Sequence, residues 1–392
     1  MGQCYISRRG TKTGGITEQL GIYPVGNDGR PMGNVTVPDN VTNLSKYPFI
    51  ENNNVLTVAL SENLRNFTTY CFQKCASLQN ISIPNKVGTI PQYCFDGCIS
   101  LSKVILPKSL TTIGQYAFQN CTGLYTIIVP EEIDSLQVNS HAFANCSGLD
   151  NETVTKLATK VSGNIYAYAF ADLIGITDVT TNYITDYYFS GCTNLKKVTI
   201  LNPLNDGGFG SNIFNGCNNL TTVVLPNNAT KLNDNIFNGC SKLVSVNIPS
   251  SLITLGSRVF YNCSSLTKIV LFDTVTTIGT NAFYGCTGLK AVYLPSSIVT
   301  ATNSCLTSTS SSYYAFQGCT NLEDVQLGQG WNMSLRLNVS NNITVESMIA
   351  MFNSLKDLTG ETAKTLTLGA TNLAKLTDEQ KEIATNKNWT LA

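Results

Sequence analysis

Phenylalanine and cysteine recur three residues apart along most of the chain: Phe72/Cys75, Phe95/Cys98, Phe118/Cys121, Phe143/Cys146, Phe189/Cys192, Phe214/Cys217, Phe237/Cys240, Phe260/Cys263, Phe283/Cys286 and Phe316/Cys319. The cysteine-to-cysteine steps through these pairs are 23, 23, 25, 46, 25, 23, 23, 23 and 33. The step of 46 is two units of 23, with Phe170 and Leu173 replacing the pair in a degenerate unit. Counting 23 back from Cys75 reaches Asn52, three residues after Phe49, so another degenerate unit precedes and twelve units are visible.

A leucine follows each cysteine by three residues, as Leu101 follows Cys98 and Leu243 follows Cys240. Val104 and Leu106, then Val246 and Ile248, alternate with period two, which predicts a short strand with one buried face. Proline directly after it, Pro107 or Pro249, cannot donate to a ladder and ends the strand. The second half of a unit runs aliphatic, then Ile-Gly, then Ala-Phe, as in Leu110, Ile113-Gly114 and Ala117-Phe118. The glycine suggests a turn with positive φ. A unit of this size cannot bury its own apolar face, whereas stacked units bury a continuous one. The expected fold is therefore a leucine-rich-repeat solenoid of short parallel strands, whose characteristic periods include this one.

The pattern Ala-Phe-x-x-Cys-x-x-Leu-x-x-Val-x-Leu-Pro-x-x-Leu-x-x-Ile-Gly resembles the BspA-like (Treponema-type) leucine-rich repeats from about Val35 to Gly328. That resemblance implies a surface-exposed or secreted protein adhering to matrix proteins or to other cells. It implies a role more loosely than a fold, because function resides in the variable surface.

The array is expected to span 34–328, between an N-terminal segment or cap, 1–33, and an α/β C-terminal cap, 329–392. In the last segment, Val345, Met348, Ile349, Phe352 and Leu355 have helical spacing. Thr365 to Leu368 reads as a strand, Thr377 to Thr385 as a helix opened by Thr-Asp-Glu, and Trp389 to Leu391 as a last strand. Terminal caps are a physical requirement of a solenoid. Two places break the period: Asp150 to Ile165, where NETVTKLATKV reads as a short helix, and Ala301 to Ser312, rich in Ser and Thr. Such insertions fall in loops on one face, often the binding face.

Charge narrows the partners. Lys+Arg and Asp+Glu both number 25 of 392 residues, and no basic tract appears, which points away from nucleic acid and anionic membranes. No run reaches the ~18 apolar residues of a membrane helix, so no membrane insertion is expected. Met1 to Gly15 has basic residues without a following apolar run and does not read as a signal peptide.

Chemistry adds little. The ten periodic cysteines read as a buried position in a structural unit rather than a metal or disulfide framework, and Cys71 and Cys94 read the same way. Cys4 and Cys305 lie outside the period, so a reactive or cross-linked thiol should be one of these two. His141 stands alone, without material for acid–base or metal constellations. Asn120, Asn145 and Asn262 match the glycosylation acceptor pattern, largely as a by-product of the repeat. There is no phosphate loop, nucleophile elbow or carboxylate pair, so no enzyme, metal or cofactor is expected.

The outward strand row runs Ser82, Ile105, Ile128, Thr199, Val224, Asn247, Val270, Tyr293 and Gln326. Apolar side chains there either serve strand propensity or mark an interaction site. The candidate anchors are Ile105, Ile128, Val224, Val270 and Tyr293. The first expectation is a non-catalytic binding or adhesion protein at a cell surface or outside the cell, presenting this face to a protein or glycan. The second is a structural or receptor-binding component of a phage tail or similar particle, a virion location. The residues Asn388-Trp-Thr-Leu-Ala392, which resemble tails of gut-bacterial and phage-tail-like proteins, favour that second reading.

Overall fold

The computed structural model describes residues 31–44, 48–162, 166–201, 209–301, 305–308 and 314–392, with the backbone of 4–5 and 22–23. It falls into two compact units, 1–192 and 193–392, each a stack of parallel β-turns. Most of the N-terminal segment 1–33 and part of the 301–312 insertion lie outside the described residues. Cys4–Tyr5 pairs antiparallel with Ile22–Tyr23, and the side chain of Cys4 lies outside the description.

In the first unit a front ladder joins Gly33–Thr36, Val55–Ala59, Asn80–Ser82, Lys103–Ile105 and Thr126–Ile128. The sequence period sets its register, since Asn80 stands beside Lys103 and Lys103 beside Thr126, one repeat on each time. Inward side chains alternate as expected, with Ile81, Val104 and Ile127 buried. A second ladder, which hydrophobic spacing did not reveal, joins the two-residue strands Thr89–Ile90, Thr112–Ile113 and Gln137–Val138.

Between the ladders, Phe49, Phe72, Phe95, Phe118, Phe143 and Phe170 stack at 4.9–5.4 Å with ring planes within 8°. Each periodic thiol is buried, and Cys75, Cys98, Cys121, Cys146, Cys192, Cys240, Cys263, Cys286 and Cys319 donate backward to the carbonyl of a phenylalanine, as Cys98 does to Phe72 at 3.0 Å and Cys121 to Phe95 at 3.0 Å. This is the structural place expected for the ladder cysteines.

Helix α1, Asn151–Lys160, occupies the place of a front strand. Asp150 caps it by accepting from Thr153 N at 2.8 Å, and Val154, Leu157 and Ala158 face the core. Its side chains then serve the strand Asp178–Thr181 as a ladder partner would. Asn151 Oδ1 accepts from the amide of Thr177 at 2.7 Å and of Asp178 at 3.2 Å, and Thr155 Oγ1 accepts from Thr180 at 3.2 Å.

The second unit repeats the plan. Lys197–Ile200, Thr222–Val224 and Ser245–Val246 pair in parallel, as do Lys268–Val270, Ala291–Leu294 and Asp324–Leu327. The second ladder runs Lys231–Leu232, Thr254–Leu255, Thr277–Ile278 and Thr300–Ala301. Helix α2, Val345–Ser354, covers the edge of Asp324–Leu327: Ser347 Oγ accepts from Val325 N at 2.8 Å and donates to Val325 O at 3.1 Å. Beyond it, Leu335–Arg336, Lys364–Thr367 and Trp389–Leu391 form a parallel sheet. The short helix α3, Ala370–Leu373, which apolar spacing did not predict, and α4, Asp378–Thr385, complete the segment. Thr377 and Gln380 cap α4 reciprocally.

Two expectations are corrected. The Ile-Gly glycines do not adopt positive φ. A Cβ on Gly114 would lie 2.7 Å from Gln92 N, and one on Gly279 2.4 Å from Gly256 C, so glycine is required for close approach of adjacent turns. Positive φ falls instead on two other positions in most repeats, such as Tyr93 with Gly97 and Tyr116 with Asn120. Cys305, proposed as a reactive thiol, is buried, and its pKa is pushed up to about 12 by that burial. A thiol held protonated and shielded is a poor nucleophile.

Candidate functional site

The strand face places the five anchors as follows. Ile105 and Ile128 are cross-strand partners in the first unit, 37% and 41% exposed. In the second unit Val270 is paired with Tyr293, the valine exposed and the tyrosine half-buried. Val224 is also exposed, beside Thr199. The row does not continue evenly from Val224, because Asn247 turns its amide onto the backbone of Leu225.

Two shallow depressions lie on these faces. One of about 420 Å³ is lined by Asn80, Ser82, Lys103 and Ile105, and one of about 310 Å³ by Lys268, Val270, Ala291, Tyr293, Asp324 and Gln326. The Tyr293 hydroxyl donates to Asp273 Oδ1 at 3.4 Å, and desolvation followed by that carboxylate raises its pKa. Aliphatic patches bordered by Lys103, Lys268 and Asp324 offer contact area and a polar rim, the anatomy of a protein interface. Among the described residues no group of three or more His, Cys, Asp or Glu could hold a metal ion.

A second surface feature went unread in the sequence. In the first unit Tyr70, Tyr93, Tyr116, His141, Tyr168 and Tyr187 form one continuous ring stack, with centroids 4.3–5.0 Å apart. All six are half-buried and all have φ between 55° and 62°. Each precedes a core aromatic by two residues, so the column could have been found by tracking the variable position before Ala-Phe. Spacing arguments pass over it because they follow apolar positions that face inward.

The left-handed conformation costs a non-glycine residue roughly 1–2 kcal/mol. Aromatic stacking returns only about 0.5–1.5 kcal/mol per pair. In the second unit Asn212, Asn235 and Asn281 fill the same position at φ 55–59°. Asparagine tolerates this conformation better than tyrosine does. The backbone therefore does not require aromatic residues in the first unit.

The sequence matches the BspA type leucine rich repeat region, in six copies, over residues 29–150, 136–209, 163–290 and 207–313. The chain belongs to the BspA-type leucine-rich-repeat family. No curated protein matches it. Similar solved structures include a leucine-rich repeat protein from Bacteroides ovatus, 23% identical, covering 83% of this chain and 92% of that one with a TM-score of 0.50. A leucine-rich repeat protein from Eubacterium ventriosum is 21% identical over 66% of this chain and 78% of its own, with a TM-score of 0.44. A leucine rich cell surface protein from Faecalibacterium prausnitzii is 17% identical over 81% and 95%, with a TM-score of 0.38. Among the described residues, no helix of this BspA-type chain is long and apolar enough to cross a membrane.

Proposed function

We propose that this BspA-type repeat protein is a non-catalytic binding protein, displayed at a cell surface or outside the cell, that engages a protein partner through its strand faces. The observation that carries this reading is the pairing of exposed aliphatic residues in register, Ile105 on Ile128, on the outward face of the front ladder. Contiguous exposed apolar surface marks interaction sites. Val224, Val270 and Tyr293 play the same part in the second unit. On this reading 34–328 is the presenting array, and 1–33 and 329–392 close its ends.

The test is adhesion of the purified chain to immobilised matrix proteins and to whole cells, with alanine at Ile105, Val224 and Tyr293 as the variant. Loss of adhesion with an unchanged thermal melt supports the assignment. Adhesion equal to the parent protein's moves the binding surface elsewhere.

A further inference from the structure

The strand faces leave the aromatic column of the first unit unexplained. With its centroids 4.3–5.0 Å apart, it makes a strip six rings long and one ring wide. Neighbouring rings cover one another's faces, so the interior rings present edges, hydroxyls and the imidazole. Rows of amides run beside them. Gln92 Nε2 donates to Gln115 Oε1 at 3.4 Å; on the other flank Asn145 donates to Asn120 at 2.9 Å, Asn120 to Asp96 at 3.3 Å, and Gln73 to Asp96 at 3.0 Å. Polar side chains thus accompany the rings over the turns from Gln73 to Asn145.

This geometry selects among partners. The strip is too narrow for a protein partner, where a stable interface takes about 800 Å² from each side. Nucleobases need open ring faces and a basic track for their phosphates. The faces here are covered, and the flanking charges include Asp96 and Asp172, with Lys74 paired to Glu51 at 3.1 Å. A chain of uncharged, hydroxyl-bearing units lying lengthwise fits the repeat, the carboxylates that would repel an anionic chain, and the width. Each interior ring is held between neighbours, so little side-chain freedom is lost on binding.

We infer that the spine from Tyr70 to Tyr187 binds a linear neutral polysaccharide laid along it, through ring edges, hydroxyls and the flanking amides rather than by stacking on ring faces. This site is separate from the strand faces in both position and ligand class.

The experiment titrates the full chain with cellohexaose, laminarihexaose, maltohexaose, xylohexaose and mannohexaose by calorimetry. The Tyr93→Asn, Tyr116→Asn, Tyr168→Asn triple variant uses the residue the second unit already carries at this position. Binding of at least one oligosaccharide, weakened about tenfold or more in the triple variant, is the expected result. Tyr116→Phe keeps the stack and removes one hydroxyl, so a smaller loss there is expected even where the triple variant melts early. Ile105→Ser with Ile128→Ser should leave sugar binding unchanged. The inference is overturned if none of the five oligosaccharides binds, if binding survives the triple variant, or if the strand-face variant alone abolishes it.

Discussion

Asn247 holds the backbone of Leu225 at both its polar groups, accepting from the amide through Oδ1 at 3.0 Å and donating to the carbonyl through Nδ2 at 3.0 Å. A side-chain amide here supplies the pair of bonds that the next backbone would supply in a longer strand, and Ser245–Val246 is accordingly two residues long. Asn247→Asp keeps the acceptor but sets a carboxylate against the Leu225 carbonyl. It should cost about 1–3 kcal/mol. The urea midpoint at neutral pH reads this directly, and no shift would mean that Leu225 finds other partners.

Two kinds of glycine should respond differently to substitution. Gly279→Ala drives a Cβ to 2.4 Å from the backbone of Gly256 and Ser257, with no flexible side chain to yield. A loss of about 1–3 kcal/mol or more is expected. Gly216, at φ 78° with no atom within 4 Å of its would-be Cβ, needs only a residue that accepts the left-handed region. Gly216→Asn should change stability by less than about 1 kcal/mol, as Asn120 and Asn145 already occupy the equivalent place. Paired thermal melts separate the two mechanisms.

These glycines also show what the sequence could convey. The period, the inward aliphatics, the buried thiols and helices α1, α2 and α4 were legible, because each follows from apolar spacing or a cap. The role of Gly114 and Gly279 was not, since close approach between successive turns leaves no local signature. The second ladder escaped for a related reason: strands of two residues are too short for periodicity, and inter-turn hydrogen bonds hold them. Ile105 and Ile128 were readable as an outward pair once register was set. The tyrosine spine was not, because its conformation is imposed by the turn and its contacts lie a full repeat away.

The C-terminus of α2 depends on one cation. Lys387 Nζ donates to the carbonyls of Phe352 at 3.0 Å, Asn353 at 2.9 Å and Leu355 at 3.2 Å, where the last turn lacks intrahelical donors. Lys387→Met retains the aliphatic stem and removes all three bonds. It should destabilise the second unit by about 1.5–3 kcal/mol, with faster amide exchange concentrated in Val345–Ser354. Uniform exchange across the unit would contradict this local role.

The thiol ladder makes the fold sensitive to alkali. Burial raises the pKa of Cys94, Cys98, Cys240 and Cys263 well above 9.0, and that of Cys286 to about 12. A group whose folded pKa is raised contributes its full stability below the unfolded pKa. That contribution is lost as pH rises through the folded value, so the unfolding free energy should fall from about pH 9 upward. Each thiol adds at most about 1.4 kcal/mol per pH unit in that window. Cys286→Ser retains a donor for the Phe260 carbonyl, now at 3.0 Å from the thiol, and does not titrate there. Its urea midpoint should decline less steeply between pH 9 and 11 than the parent's, by about one proton in the slope. Parallel slopes would remove Cys286 from the alkaline transition.

His141 is the one imidazole in the spine, between Tyr116 at 4.8 Å and Tyr168 at 4.5 Å, and its Nδ1 is buried without a hydrogen-bond partner. Desolvation lowers its pKa below 6.5, opposed by the nearby Asp172 carboxylate. With the folded pKa depressed, the neutral ring's contribution is complete above pH 6.5 and is lost as pH falls through the folded value. His141→Tyr continues the stack with the residue found on both sides and removes the orphaned nitrogen. The variant should melt higher than the parent, and by a wider margin at pH 5 than at pH 8. A margin independent of pH would show that His141 binds its proton equally well in the folded and unfolded chain, leaving stacking as the whole of its effect.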